Sequence, residues 1–154
     1  SLRERSRDNA RTPMQWNGED GAGFSSGIAW LPVNPNHREI NAASQLEDPE
    51  SVFHHYRRLV SLRHDLPVVA HGDFSLLLPD HEQIYAFVRR FRNEELLVLA
   101  NFSGQRAAVP ADVVAEWAAT DRILTNRPDR PAPLSADLEL DPWEARVHLQ
   151  SRHA

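Results

Sequence analysis

Apolar positions along the chain follow three different rhythms. Up to about residue 47 they follow none. Trp16, Phe24, Trp30 and Ile40 are scattered among Gly18, Gly21, Gly23, Gly27, Pro32 and Pro35, which predicts a long irregular segment held by aromatic anchors. From about Pro49 to His64 the spacing becomes helical. Val52, Tyr56, Leu59 and Val60 form one stripe, Phe53 widens it, and Asp48 and Pro49 suit a helix N-terminus. Arg57, Arg58 and Arg63 load the C-terminal half, where the helix dipole favours positive charge, and Pro67 is expected to end the helix. So apolar a stripe requires a partner surface.

From Gly72 onward the period drops to two, and an all-β region is predicted. Strands are expected at Phe74 to Leu78, Gln83 to Phe91, Glu95 to Phe102, near Ala107 to Val109, at Arg122 to Thr125, and at Trp143 to Gln150, with Asn93-Glu94 as the turn of one hairpin. In the last strand Trp143, Ala145, Val147 and Leu149 alternate with Glu144, Arg146, His148 and Gln150, so an apolar face turned inward and a polar face turned outward are expected. The strand aromatics read as core. The predicted fold is mainly β: a small antiparallel β-sandwich preceded by an irregular loop and one main helix.

Composition narrows the chemistry. The chain has 154 residues, 41% of them hydrophobic and 25% charged, which suits a folded domain with a core. A net charge of −5 without a basic cluster argues against a nucleic-acid partner. The longest apolar run, Leu96 to Ala100, is far short of the roughly 20 residues of a membrane span, so no membrane partner is expected. Zero cysteines exclude a disulfide scaffold and fit a reducing compartment, and a cytoplasmic protein is expected. The polar start, Ser1 to Asp8, carries no signal peptide, and its lack of methionine suggests a processed or truncated end.

Catalytic signatures are sparse. The eight histidines show no metal spacing, and neither a metal nor a cofactor is expected. The acidic residues, Glu95 and Glu144 among them, read as solvated turn and strand positions, with no pair suited to glycoside hydrolysis. Asn101-Phe102-Ser103 matches a glycosylation sequon by pattern alone. One cluster stands out: Arg7-Asp8-Asn9-Ala10-Arg11-Thr12-Pro13-Met14-Gln15-Trp16. Arginine forks suit carboxylates and hydroxyl arrays, and a tryptophan face suits a sugar ring. A self-pairing loop, with Asp8 neutralising an arginine, fits the same residues.

That string resembles the R-D-N-x-R-T-P-M-Q-W segment of glycoside hydrolase family 13, in its α-glucosidase and oligo-1,6-glucosidase branch. Ala22-Gly23-Phe24-Ser25, Trp30 to Asn36, Glu39-Ile40-Asn41, Tyr56-Arg57-Arg58-Leu59, Asn101-Phe102-Ser103 and Pro142-Trp143-Glu144-Ala145 continue the resemblance in order. It departs at Asn17, where an aspartate is usual, and at Asp141. The resemblance implies that residues 1–70 are the tail of a catalytic (β/α)8 barrel (the loop after strand eight and the last helix), and that residues 71–154 are a C-terminal antiparallel β domain. It implies no catalytic residue in this chain, because the family's carboxylates lie upstream. It implies two substrate-binding residues: Arg7, lining the pocket for the non-reducing glucose, and Arg11, near the aglycone. The partner implied is an α-linked gluco-oligosaccharide bound by the parent enzyme. A sucrose isomerase, a trehalose synthase or a stand-alone carbohydrate-binding module are the alternatives. The helix stripe, without a barrel to cover, is expected to drive packing or self-association.

Overall fold

A computed structural model describes residues 11–118, 120–129 and 133–151. The chain divides into two compact units, Ser1–Val60 and Ser61–Ala154.

The first unit is largely irregular, with short 3-10 turns at Asp20–Gly23 and Pro35–Arg38. Two α-helices follow: α1 at Ala42–Glu47, and α2 at Val52–Asp65, within which the division between the units falls. Helix α1 interrupts a segment whose sequence predicts only loop. Its start is fixed by a reciprocal cap: Asn41 Oδ1 accepts from Ser44 N at 2.9 Å, and Ser44 Oγ lies on the Asn41 amide. Asp48 closes α1 and does not open α2. Ser51 stands before α2, its Oγ accepting from His54 N and its carbonyl from His55 N. Asp48 Oδ1 is instead engaged by Glu50 N in a turn between the helices. His54 contacts the Leu46 carbonyl through Nε2 at 3.0 Å, at the open end of α1. Pro67 does end α2, and at once takes the first position of a further helix, α3, Pro67–His71.

The second unit is built on a five-stranded antiparallel sheet. Its strands are β1 Asp73–Leu76, β2 Ile84–Phe91, β3 Glu94–Asn101, β5 Asp121–Thr125 and β7 Ala145–Ser151, in the order β1-β2-β3-β7-β5. A two-stranded ribbon, β4 Ala107–Ala108 with β6 Glu139–Leu140, and a helical turn, α4 Ala111–Val114, supply the opposing layer. The architecture is therefore the expected mainly-β, antiparallel, two-layered one. The β2–β3 hairpin pairs Phe91 with Glu94, so its turn is Arg92-Asn93, one residue earlier than expected. Arg92 takes the left-handed conformation there, with φ of 52°.

The core lies on the sheet face that carries Ile84, Ala86 and Val88 of β2 and Leu97 and Leu99 of β3. Val109, Val114, Trp117, Leu138 and Leu140 cover it. This face reverses the expectation for β7. Leu97 pairs with His148 and Leu99 with Arg146, which places the polar residues of β7 on the core side. Glu144, Arg146 and His148 are fully buried, while Ala145, Val147 and Leu149 are only half-buried on the outer face. The strand aromatics, expected in the core, also lie outside it. Phe74, Tyr85 and Phe102 are exposed, and Phe87 beside them is only half-buried.

Charges survive in that core by pairing. Arg146 Nε donates to Glu144 Oε1 at 2.6 Å, and Glu144 Oε2 accepts from Asp141 N at 2.7 Å. Glu95 is also buried and receives Arg90 Nε and Gln150 Nε2, both at 2.7 Å. The solvated roles expected for Glu95 and Glu144 are thus replaced by ion pairs, buried on both sides for Glu144 and with a half-exposed Arg90 for Glu95.

Candidate functional site

The conspicuous sequence cluster straddles the limit of the described residues. Arg7 lies outside them. Arg11, the second expected substrate-binding residue, is exposed at their edge. What the described residues show is the platform that follows Arg11.

That platform is held by backbone. The carbonyls of Gln15 and Trp16 accept from Ala42 N and Ala43 N, each at 2.9 Å. These amides open α1 and have no partner within the helix, so the motif strand is fastened to the helix end as well as capping it. Gln15 Nε2 bridges to Asn36 Oδ1 at 3.1 Å and to the Ile40 carbonyl. Trp16 N and Asn17 N both donate to the Ala22 carbonyl, at 2.9 and 3.2 Å. That carbonyl is presented by three successive residues with left-handed φ: Gly21 at 73°, Ala22 at 55° and Gly23 at 66°. A side chain on Gly23 would meet the Asn17 amide at 2.9 Å, so glycine is needed there for space as well as for φ. Asn17, in the place where the resembling family usually has aspartate, uses Oδ1 to accept from Glu19 N, a role either residue can fill.

The consequence is a rigid base with an apolar display. Met14 and Trp16 are half-exposed, and Ile28 and Trp30, at 105% and 98%, are fully exposed on the loop beyond. Val52 and Tyr56, in the α2 stripe, are exposed too. Thr12, Met14, Ile40, Val52 and Phe53 line an open apolar cleft within this unit. Such a surface binds by shape and stacking, but it carries no acid, base or nucleophile.

Among the described residues the two buried carboxylates, Glu95 and Glu144, are committed to the ion pairs above, and no three His, Cys, Asp or Glu residues gather as a metal site would require. No helix among them is long and apolar enough to cross a membrane. Asn101, the sequon asparagine, is buried. Its Nδ2 donates to the carbonyls of Gln105, Leu140 and Asp141 at 2.7, 3.3 and 2.9 Å, which removes it as a glycosylation acceptor in the folded chain. His148 has a strongly altered titration. Burial and the charges of Arg146 and Arg122 lower its pKa to about 4, against a smaller opposing effect of its hydrogen bond to Thr120. Its Nδ1 meets Thr120 Oγ1 at 3.2 Å, and its buried Nε2 has no partner.

Sequence reasoning missed the residues that hold the platform, namely Gln15, Asn36 and Asn41. The Asn41-to-Ser44 spacing was a legible cap signal. The Gln15 bridge joins residues 21 and 25 apart, and no local pattern announces it.

Residues 1–72 match the model of the α-amylase catalytic domain, and residues 74–147 match that of the maltogenic amylase C-terminal domain. The oligo-1,6-glucosidase of Parageobacillus thermoglucosidasius is 41% identical over 144 residues, covering 92% of this chain and 25% of that enzyme. The crystal structure of trehalose-6-phosphate hydrolase from Bacillus licheniformis superposes with a TM-score of 0.87 at 38% identity, over 98% of this chain and 27% of that one. Isomaltulose synthase from Klebsiella sp. LX3 gives 0.85 at 36% identity, over 94% and 26%. The chain thus spans about a quarter of the length of the relatives it matches. With both family models matched in succession and a solved relative superposing over almost all of it, the chain belongs to the α-amylase family of glycoside hydrolases, family 13, in its α-glucosidase and oligo-1,6-glucosidase branch.

Proposed function

We propose that this chain is the C-terminal part of a retaining α-glucosidase that hydrolyses terminal α-1,6- or α-1,4-glucosidic bonds of oligosaccharides. The observation that carries the reading is the built platform at Pro13–Trp16, fastened to α1 and displaying apolar surface, in a chain whose own buried carboxylates are engaged in ion pairs. Residues 1–70 act as the tail of the catalytic barrel, and residues 71–154 as the C-terminal β domain. Arg7 lines the pocket for the non-reducing glucose, paired with an aspartate of the upstream barrel, and Arg11 sits toward the aglycone. The nucleophile and the acid/base come from that upstream barrel, which needs about 250 residues and exceeds this chain. Nucleic acid, membrane, metal and cofactor have no part in this reading, and the parent enzyme works in the cytoplasm. Left alone, the exposed α2 stripe is the surface through which the chain self-associates.

A second reading is favoured by the solved relatives. A trehalose-6-phosphate hydrolase and an isomaltulose synthase superpose about equally well, so a parent acting on a phosphorylated disaccharide or isomerising sucrose fits this region equally. The test is to express the chain alone and joined to its upstream barrel. The chain alone should release no aryl aglycone from an aryl α-glucoside at any pH, because retaining hydrolysis requires two carboxyl groups about 5 Å apart. The joined protein should hydrolyse isomaltose. Turnover by the chain alone, or sucrose isomerisation by the joined protein, refutes the leading reading.

A further inference from the structure

The second unit carries a cleft that the reading above does not use. We propose that it is a separate carbohydrate-binding site, taking one or two pyranose rings of an α-linked gluco-oligosaccharide, formed by Tyr85 and Phe102 as an aromatic corner with His81, Glu82 and Gln83 as its polar rim. The cleft lies where the loop between β1 and β2 returns to the sheet, beside the end of β3, and Leu76 also lines it.

Its parts are arranged as a sugar site requires. Tyr85 and Phe102 are 43% and 65% exposed, although both belong to ordered backbone: Tyr85 lies within β2, and Phe102 N donates to the Gln83 carbonyl at 2.8 Å. Their ring centroids are 6.2 Å apart with planes at 80°, so one ring offers a face where the other offers an edge. A pyranose, with an apolar C–H face and a polar rim, stacks on such a corner and keeps its hydroxyls free.

The rim is pre-set. His81 Nδ1 accepts from Gln83 N at 3.1 Å and from Ile84 N at 3.0 Å. Two amides donating to one ring nitrogen fix the tautomer, so the neutral ring carries its hydrogen on Nε2, a donor that costs no rotamer search on binding. Gln83 Nε2 donates to Ser103 Oγ at 3.1 Å, which orients the amide and leaves its carbonyl oxygen as an acceptor. Glu82, exposed between them, adds a carboxylate for paired hydroxyls. A purely apolar docking face would have no use for a fixed donor and acceptor at its edge. The aromatic corner and the rim define a sugar site by themselves, while the choice of glucose rests on the proposed function.

The experiment is a titration of the full 154-residue chain with isomaltose, maltotriose and, as a non-gluco arm, xylobiose, followed by side-chain NMR shifts. Isomaltose or maltotriose should shift the ring signals of Tyr85, Phe102 and His81 saturably. Phe102→Leu, which keeps apolar volume but removes the ring, should weaken that binding about tenfold with the rest of the spectrum unchanged. His81→Phe should weaken it while keeping an aromatic ring. Three results overturn the proposal: no saccharide moves these signals, Phe102→Leu binds as the parent does, or the same signals broaden with protein concentration alone, which would make the cleft a contact between copies. If only xylobiose binds, the site stands, and it is the assignment to glucose that fails.

Discussion

The two units hold their shapes in opposite ways. In residues 11–60 nearly everything described is fastened through backbone carbonyls, amide side chains and caps, while Met14, Trp16, Ile28, Trp30, Val52 and Tyr56 remain exposed. In the second unit Leu97, Leu99, Val114 and Leu140 are out of water altogether, and even the charges of Glu144 and Arg146 are buried. The first arrangement fixes a surface without providing a core of its own, and the second provides a core while still displaying Phe74, Tyr85 and Phe102 on its outside. Hydrogen bonds can set the geometry of a loop, but their net contribution is only about 1 kcal/mol each, so a segment held mainly by them depends on burial supplied elsewhere. Exposed apolar surface of that extent lies in the region that matches a catalytic domain, as the barrel tail proposed above requires.

The comparison can be tested from its most sensitive point downward. In the proposed parent enzyme Arg7→Ala should lower kcat/KM by about a hundred- to a thousand-fold, because a buried carboxylate left without its arginine costs about 3–5 kcal/mol. Arg7→Lys should restore little, since the planar fork is lost. Steady-state kinetics on an aryl α-glucoside decide it, and near-normal kcat/KM would remove Arg7 from the pocket. By the same reading, the unfolding midpoint of the second unit should not move.

Glu144→Ala tests the second unit in turn. It removes the 2.6 Å bond to Arg146 inside the core and should cost about 3 kcal/mol in urea unfolding. Replacing both residues, as Glu144→Leu with Arg146→Met, should recover most of that loss, because the stranded charge goes too. A double variant as unstable as the single one would show that the pair specifies the packing.

Acid should separate the units further. The pKa of His148 is lowered to about 4 in the fold from an ordinary value of 6.5, so the folded state favours the neutral ring. Its contribution to stability is therefore fully present above pH 6.5 and is lost as pH falls toward 4, by up to about 3 kcal/mol in all. Unfolding midpoints measured between pH 7 and 4 should fall in the parent chain, and fall less steeply in His148→Phe. Equal slopes would mean that the ring titrates normally.

The smallest expected effect lies in the first unit. Asn41→Ala removes the cap of α1 and should cost about 1 kcal/mol locally. Hydrogen exchange of the Ala42–Glu47 amides should rise, with the β2 and β3 amides unchanged. A matching rise in the sheet would contradict the division between the units.

The amino-acid sequence by itself determined the main helix, the β2–β3 hairpin, the antiparallel class and the family resemblance. These follow from local periodicity, turn chemistry and a dense motif, all readable within a short window. Helix starts were less legible. Asp48 and Ser51 are both good caps, and only the six-residue length of α1 decided that Asp48 would close one helix while Ser51 opened the next. Tertiary structure alone decided which face of β7 looks inward. Alternation gives a strand two faces and says which is apolar, but the core lies where the opposing layer lies. The register Leu97 with His148 and Leu99 with Arg146 turned the polar face toward Val114, Trp117 and Leu140. Residues 144 and 146, two apart on a strand, share a face and can neutralise each other there, so the buried polar row is stable once the register is set. The apolar face of the same strand was left for the outside, as were Tyr85 and Phe87 on β2 beyond the intervening β3, and no pattern within a single strand distinguishes those two outcomes.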